Sequence, residues 1–164
     1  MLKDIENLEI ELKEWLVGAT KIAIIGIGNE LKKDDFVGSF IARKLKNAAF
    51  SKRVLILDCG TVPESYTDKI IEFNPSHILV IDAAHLGMRP NNFKLVDFEK
   101  VHGLTISTHN LPLSLFAKYL EKTTGAKTAL LGIQPSNIEF EMGLTKELSE
   151  TAEEISKAII KIFS

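Results

Sequence analysis

Only one cysteine stands in the 164 residues, so Cys59 has no partner for an internal disulfide and no companions for a thiolate zinc cage. A reducing cytoplasm is the expected setting. Positive charge is not in excess either: 20 Lys and Arg face 22 Asp and Glu, a formal charge of −2 at pH 7. The surplus with which proteins hold a nucleic-acid backbone is missing, and nucleic acid is excluded as a partner. No apolar run approaches the roughly 18 residues that cross a bilayer. Residues 1–14 carry Asp and Glu where an export signal would have a basic start and an apolar stretch. Neither membrane insertion nor export is expected. Glycine (10) and proline (5) are too sparse for a fibrous or disordered chain, and the Gly-x-Ser-x-Gly nucleophile pattern is absent. What remains is 45% hydrophobic and 26% charged, the composition of one globular domain over residues 1–164 with a sizeable core.

Ile5, Leu8, Leu12, Trp15 and Leu16 recur at helical spacing, so an amphipathic helix is expected over residues 1–18, ended by Gly18. Residues 20–162 then form the core. Short runs that are apolar on both faces occur at Ile22–Ile25, Val54–Leu57, Ile78–Ile81 and Ala129–Leu131, as in interior strands of a parallel sheet. Helical periodicity fills the intervals around Val37–Leu45, Ile70–Phe73, Leu113–Leu120 and Leu148–Ile162. Phe93–Phe98 reads as a strand too, but it follows the preceding strand too soon for a helical crossover. It is expected to be an antiparallel edge strand. The fold class is therefore α/β: three layers, a twisted, mostly parallel sheet of about five strands with one antiparallel edge, and helices on both faces.

In such sheets ligands collect beyond the carboxyl ends of the strands, where strand order reverses. The first strand is followed there by Gly26-Ile27-Gly28-Asn29 and, as helical periodicity begins, Asp34-Asp35. A nucleotide turn offers bare amides to phosphate at that position; a loop ending in two carboxylates favours a cation. Gly26-Ile27-Gly28 lacks the third glycine of the nucleotide fingerprint. The plainer alternative is that Asp34 caps the helix and Asp35 complements its dipole. Ile78–Ile81 ends in Asp82, which a 2-1-3 strand order would bring beside Asp35. Two carboxylates so placed call for a proton or a metal between them, and at least one should titrate above the usual range. Of the four histidines, His77, His85 and His102 read as surface residues. His109 lies in Ser107-Thr108-His109-Asn110-Leu111-Pro112, a helix-start signature that keeps imidazole neutral and able to bind a metal. Asp35, Asp82 and His109 would make an oxygen, oxygen, nitrogen set with open positions, suited to zinc, nickel or a similar divalent ion. Cys59 closes an apolar strand and reads as a small buried residue, although Asp58-Cys59-Gly60-Thr61 shares the same rim.

Taken together, these motifs resemble one family, the endopeptidases that mature nickel-iron hydrogenases, and within it the type serving hydrogenase 3 of formate hydrogenlyase. The carriers are Gly26-x-Gly28-Asn29 through Asp34-Asp35, Asp58-x-Gly60-Thr61, Asp82-Ala83-Ala84, Thr108-His109-Asn110-Leu111-Pro112-Leu113, Gly132-Ile133-Gln134-Pro135 and Gly143-Leu144-Thr145. The resemblance implies a twisted α/β sheet and a cytoplasmic, monomeric hydrolase of aspartic type. Its partner would be the hydrogenase large-subunit precursor, whose C-terminal peptide it removes after nickel insertion. It also implies that Asp35, Asp82 and His109 contact metal and serve catalysis, with nickel supplied by the substrate and zinc or cadmium able to take its place. Gly28, Asn29, Asp58, Gly60 and Thr61 would bind substrate. Two positions depart from the family: Phe36 stands where Gly is common, and Cys59 replaces the first Gly of Asp-Gly-Gly-Thr. The rival reading is a small-molecule or metal-binding α/β module that cleaves nothing; a nucleotide-dependent enzyme is a third.

Overall fold

Five strands form the sheet in the computed structural model, in the order β2-β1-β3-β5-β4. The structure describes residues 1–98 and 112–164. Along the chain the elements are α1 (Leu2–Trp15), β1 (Ile22–Gly26), a 3₁₀ turn (Lys33–Phe36), α2 (Val37–Lys46), β2 (Val54–Asp58), a second 3₁₀ turn (Pro63–Tyr66) and α3 (Thr67–Phe73). Next come β3 (His77–Ala83), β4 (Phe93–Asp97), α4 (Leu113–Thr124), β5 (Lys127–Ile133) and α5 (Lys146–Phe163). β1 pairs in parallel with β2 and β3, β3 with β5 in parallel, and β4 closes the edge antiparallel to β5. This is the expected mixed sheet, and β1 and β3 are neighbours as the 2-1-3 order requires. Among the described residues no helix is long and apolar enough to cross a membrane.

Because alternate strand residues face opposite sides, the sheet divides the core in two. Ile22, Ile24, Leu79, Ile81 and Leu131 pack under α1, α2 and α5, where Leu12, Ile41, Leu45 and Ile155 are fully buried. Ala23, Ile25, Ile78, Val80 and Leu130 face the other way, toward Ile70 of α3 and Phe116 and Leu120 of α4. Asp82 continues the Ile78–Val80 alternation and so belongs to this second face. In register beside it on β5 is Gly132, which offers no side chain to fill the space.

Two expectations fail at the level of single residues. His77 is buried, not on the surface, because β3 begins at it and Trp15 of α1 lies edge-on to its ring at 5.0 Å. Asp34 does not cap α2: a 3₁₀ turn precedes that helix, and no side chain caps either element.

Candidate active site

The site is built where β1 and β3 end side by side. Gly26 is in register with Ile81, and the Ile27 N–H continues the ladder by donating to the Ile81 carbonyl at 2.9 Å. After β1 the chain turns away and returns through the 3₁₀ turn into α2. That return must pass close to the sheet. A Cβ on Gly38 would lie 2.1 Å from the Ile81 carbonyl oxygen and 2.2 Å from that of Ile27, and one on Gly28 would lie 2.7 Å from the Asp35 carbonyl oxygen. The glycines thus allow backbone approach within this protein, and the Gly28 N–H, which a phosphate would need, already donates to the Gly60 carbonyl at 2.9 Å. The close approach delivers Asp35, 3% exposed, to the end of β3.

Asp82 waits there. It is 1% exposed, and among the described residues neither of its carboxyl oxygens has a hydrogen-bond partner. Burial raises its pKa well above the usual carboxylate value, and repulsion from Asp35 raises it further; the Ala83 amide, without forming a hydrogen bond of ordinary geometry, opposes them weakly. The raised carboxyl expected of such a pair is therefore found at Asp82. Asp35 is further supported by the Asn29 N–H, which donates to its Oδ2 at 3.2 Å. Among the described residues no third His, Cys, Asp or Glu joins them as a metal-binding group. His109, the expected third member, and His102 lie outside the described residues.

The remaining expected residues ring the same rim with different duties. Asp58 accepts from Arg43 Nε at 2.8 Å, and Arg43 Nη1 reaches Glu30 at 2.7 Å. Burial alone would raise the Asp58 pKa, but hydrogen bonds from Arg43, Ser39 and the Gly60 amide outweigh it and hold the carboxylate below its ordinary value. Asn29 folds its turn by accepting the Leu31 N–H at 3.0 Å, Gly60 takes a left-handed φ of 55°, and Thr61 is exposed. Cys59 is buried as expected, its thiol pushed up to about 12 by burial and by neighbouring Asp58. So high a pKa leaves no thiolate for nucleophilic attack.

Sequence reasoning missed the loop that follows β5. Gln134 Oε1 accepts the Leu86 N–H at 2.7 Å, tying the loop after β3 to it. Beyond it, Ser136, Asn137 and Thr145 all bond to Asp34. Gly132-Ile133-Gln134-Pro135 and Gly143-Leu144-Thr145 mark this loop in the sequence, but nothing local says which distant side chain they meet.

An α/β sheet with two buried carboxyl groups, Asp35 and Asp82, brought to its switch point is a framework suited to acid–base chemistry or to a cation. The particular family follows from comparison: the HycI hydrogenase maturation protease family matches residues 40–162, and the chain belongs to it. The structure superposes on crystalline HycI, a nickel-iron hydrogenase maturation protease of Thermococcus kodakarensis KOD1. The TM-score is 0.86 at 37% identity, over 93% of this chain and 97% of that one. The solution structure of the Escherichia coli endopeptidase HycI gives 0.73 at 26% identity, over 84% and 87%. The hydrogenase 3 maturation protease of Escherichia coli K12 is 28% identical over 133 residues, 80% of this chain and 84% of that protein. The family's role is C-terminal processing of the hydrogenase large subunit, so this chain is a maturation endopeptidase and the large-subunit precursor is its partner.

Proposed function

We propose that the protein cuts the C-terminal peptide from a hydrogenase 3-type large-subunit precursor only after nickel insertion, using the substrate's own nickel to recognise it. The observation that carries this reading is Asp82: a buried carboxyl with neither oxygen bonded among the described residues and the charge of Asp35 close enough to oppose its ionisation. In the absence of a cation such a group holds a proton; a divalent ion between Asp35 and Asp82 would replace that proton and remove the repulsion. His109 supplies the nitrogen ligand. With three contacts and no thiolate, the site binds free metal weakly and leaves positions open for the substrate's ligands. Zinc or cadmium can enter in place of nickel.

In this reading the substrate's nickel would polarise the scissile carbonyl, and the acidic pair would orient the attacking water, one carboxylate taking its proton and passing it to the departing amine nitrogen as the C–N bond breaks. Asn29 and Thr61 meet the tail, on a floor shaped by Gly28, Asp58 and Gly60. The rim also favours a polypeptide over a small molecule. Leu31, Ile138, Phe140 and Met142 are exposed on the loops after β1 and β5, and apolar exposure of this kind marks macromolecular contact. We place the reaction in the cytoplasm, with the monomer as the acting species.

The test mixes the protein with nickel-loaded and nickel-free precursor and follows tail loss by mass spectrometry. Only the loaded form should be trimmed. His109→Ala, Asp35→Asn and Asp82→Asn should each lower the rate by more than about 100-fold, beyond the loss of a supporting contact, with circular dichroism unchanged. Equal trimming of nickel-free precursor, or full activity in the His109 variant, would overturn the reading.

A further inference from the structure

Asp34 is fully buried, yet it is outside the proposed metal contacts, and its bonds run to the loop after β5. Its carboxylate is instead among the most heavily bonded groups in the protein. Oδ2 accepts the N–H groups of Ser136 and Asn137, both at 3.0 Å. Oδ1 accepts the Thr145 N–H at 2.8 Å and the Thr145 hydroxyl at 2.9 Å. Thr145 is the residue before α5, and its hydroxyl serves Asp34 in place of capping its own helix. The negative charge thus sits at the positive end of an 18-residue helix. Backbone bonds reinforce the clasp: the Asp34 N–H donates to the Asn137 carbonyl at 2.9 Å, and the Lys33 N–H to that of Glu141 at 2.8 Å.

The same clasp governs the direction of the next residue. Lys33 has φ of 44°, a left-handed conformation costly for a side chain of its size. The strained turn is what swings the chain inward so that Asp35 enters the site, and it is held by partners on the β5–α5 loop, Lys33 Nζ reaching Glu141 at 3.2 Å as well. We propose that Asp34 is a positioning residue for Asp35: by fastening the β5–α5 loop to the β1–α2 turn, it fixes the backbone from which Asp35 reaches its partner carboxylate. The proposal rests on the proposed function for its effect on cleavage, but not for its effect on Asp35.

Two readouts separate these. Asp34→Asn keeps the shape but turns an NH₂ group toward either the Ser136 and Asn137 amides or the Thr145 donors, so one half of the clasp opens. Cleavage of loaded precursor should lose kcat by about 10- to 100-fold, at a temperature where the variant remains folded. Thr145→Val should fall between it and the wild type, and Thr145→Ser, which restores the hydroxyl, should match the wild type. Independently of activity, the Asn29 amide proton reports the place of Asp35 through their hydrogen bond. Its exchange, followed by NMR, should quicken in Asp34→Asn along with that of Ser136, Asn137 and Thr145. If only the loop amides quicken while Asn29 and kcat stay as in the wild type, Asp34 merely staples a loop and the proposal is wrong. If the wild type cuts neither precursor, the proposed function fails while the Asn29 measurement still decides the role of Asp34.

Discussion

Asp34, Asp35 and Asp82 are all buried at one rim, and the groups that meet each carboxylate give it a different use. Asp34 has donors on both oxygens, whereas Asp82 has none among the described residues, which is what the proposed exchange of a proton for a cation requires. Asp35 and Asp82 were legible because strand ends and the switch-point rule place them without knowledge of packing. Asp34 was not, since its partners lie 102 to 111 residues further along the chain. At the opposite rim, His77 shows the same dependence on surroundings. Its Nδ1 is 2.9 Å from Ser76 Oγ, Trp15 covers its ring, and Lys127 is its register neighbour on β5. Burial first, and then the Lys127 charge, hold its pKa below the ordinary histidine value, against a weak pull from the Trp15 backbone. A histidine pKa lower in the folded than in the unfolded state means that the unfolded chain takes up the proton first as pH falls. Stability is thus complete above the unfolded value of about 6.5 and declines as pH drops from there toward the folded value. Denaturant midpoints measured from pH 8 to 5 should show this decline in the wild type and a shallower one in His77→Gln. Parallel profiles for the two proteins would mean that His77 does not carry the effect.

At the scale of elements, the strands were readable as apolar runs because each interior strand is covered on both faces; the edge strand β4 was readable because the nine residues between β3 and β4 cannot house a crossover helix. Boundaries followed less well. β3 starts at His77, a polar residue whose burial depends on α1, and the approach to α2 is a 3₁₀ turn because Asp34 is drawn toward α5. The glycines after β1 fall short of a nucleotide fingerprint, and their spacing reflects contact between α2 and the sheet. Gly38 tests this directly, since its missing side chain would collide with backbone carbonyls that cannot swing aside. Gly38→Ala should cost about 3 kcal/mol or more in urea unfolding, at or beyond the upper end of ordinary overpacking. It should also lower cleavage in whatever fraction remains folded, because α2 must lift and carry Asp35 with it. A change under about 0.5 kcal/mol, the range of surface substitutions, would show that the helix has slack against β1 and β3.

Across the whole molecule, the carboxyl ends of the strands hold the chemistry, while α1 helps close the sheet face on which α2 and α5 lie. The family match begins at residue 40, which raises the question of whether the first helix is an appended arm or part of the folding unit. Packing favours the second. Ile5, Leu8 and Leu12 share one cluster with Ile155, Ile159 and Phe163 of α5, and Leu12 is fully buried. Lys161 Nζ meets Glu9 at 2.7 Å, but this pair is partly exposed and adds little. The burden therefore falls on apolar burial, which the helical periodicity of residues 1–18 already foretold. Leu12→Ala should destabilise the protein by about 2–5 kcal/mol, the range for emptying a packed site. At about 2–4 °C per kcal/mol for a chain of this size, the thermal midpoint should fall by roughly 4–20 °C in a single transition. Ile10 lies on the same helix but is 56% exposed, so Ile10→Ala should change stability by less than about 0.5 kcal/mol. Nickel-dependent cleavage at low temperature should survive both changes, since α1 packs mainly against α5 and β4. An arm that folds separately would give a different result: Leu12→Ala would produce an early, small transition and leave the main one where the wild type has it.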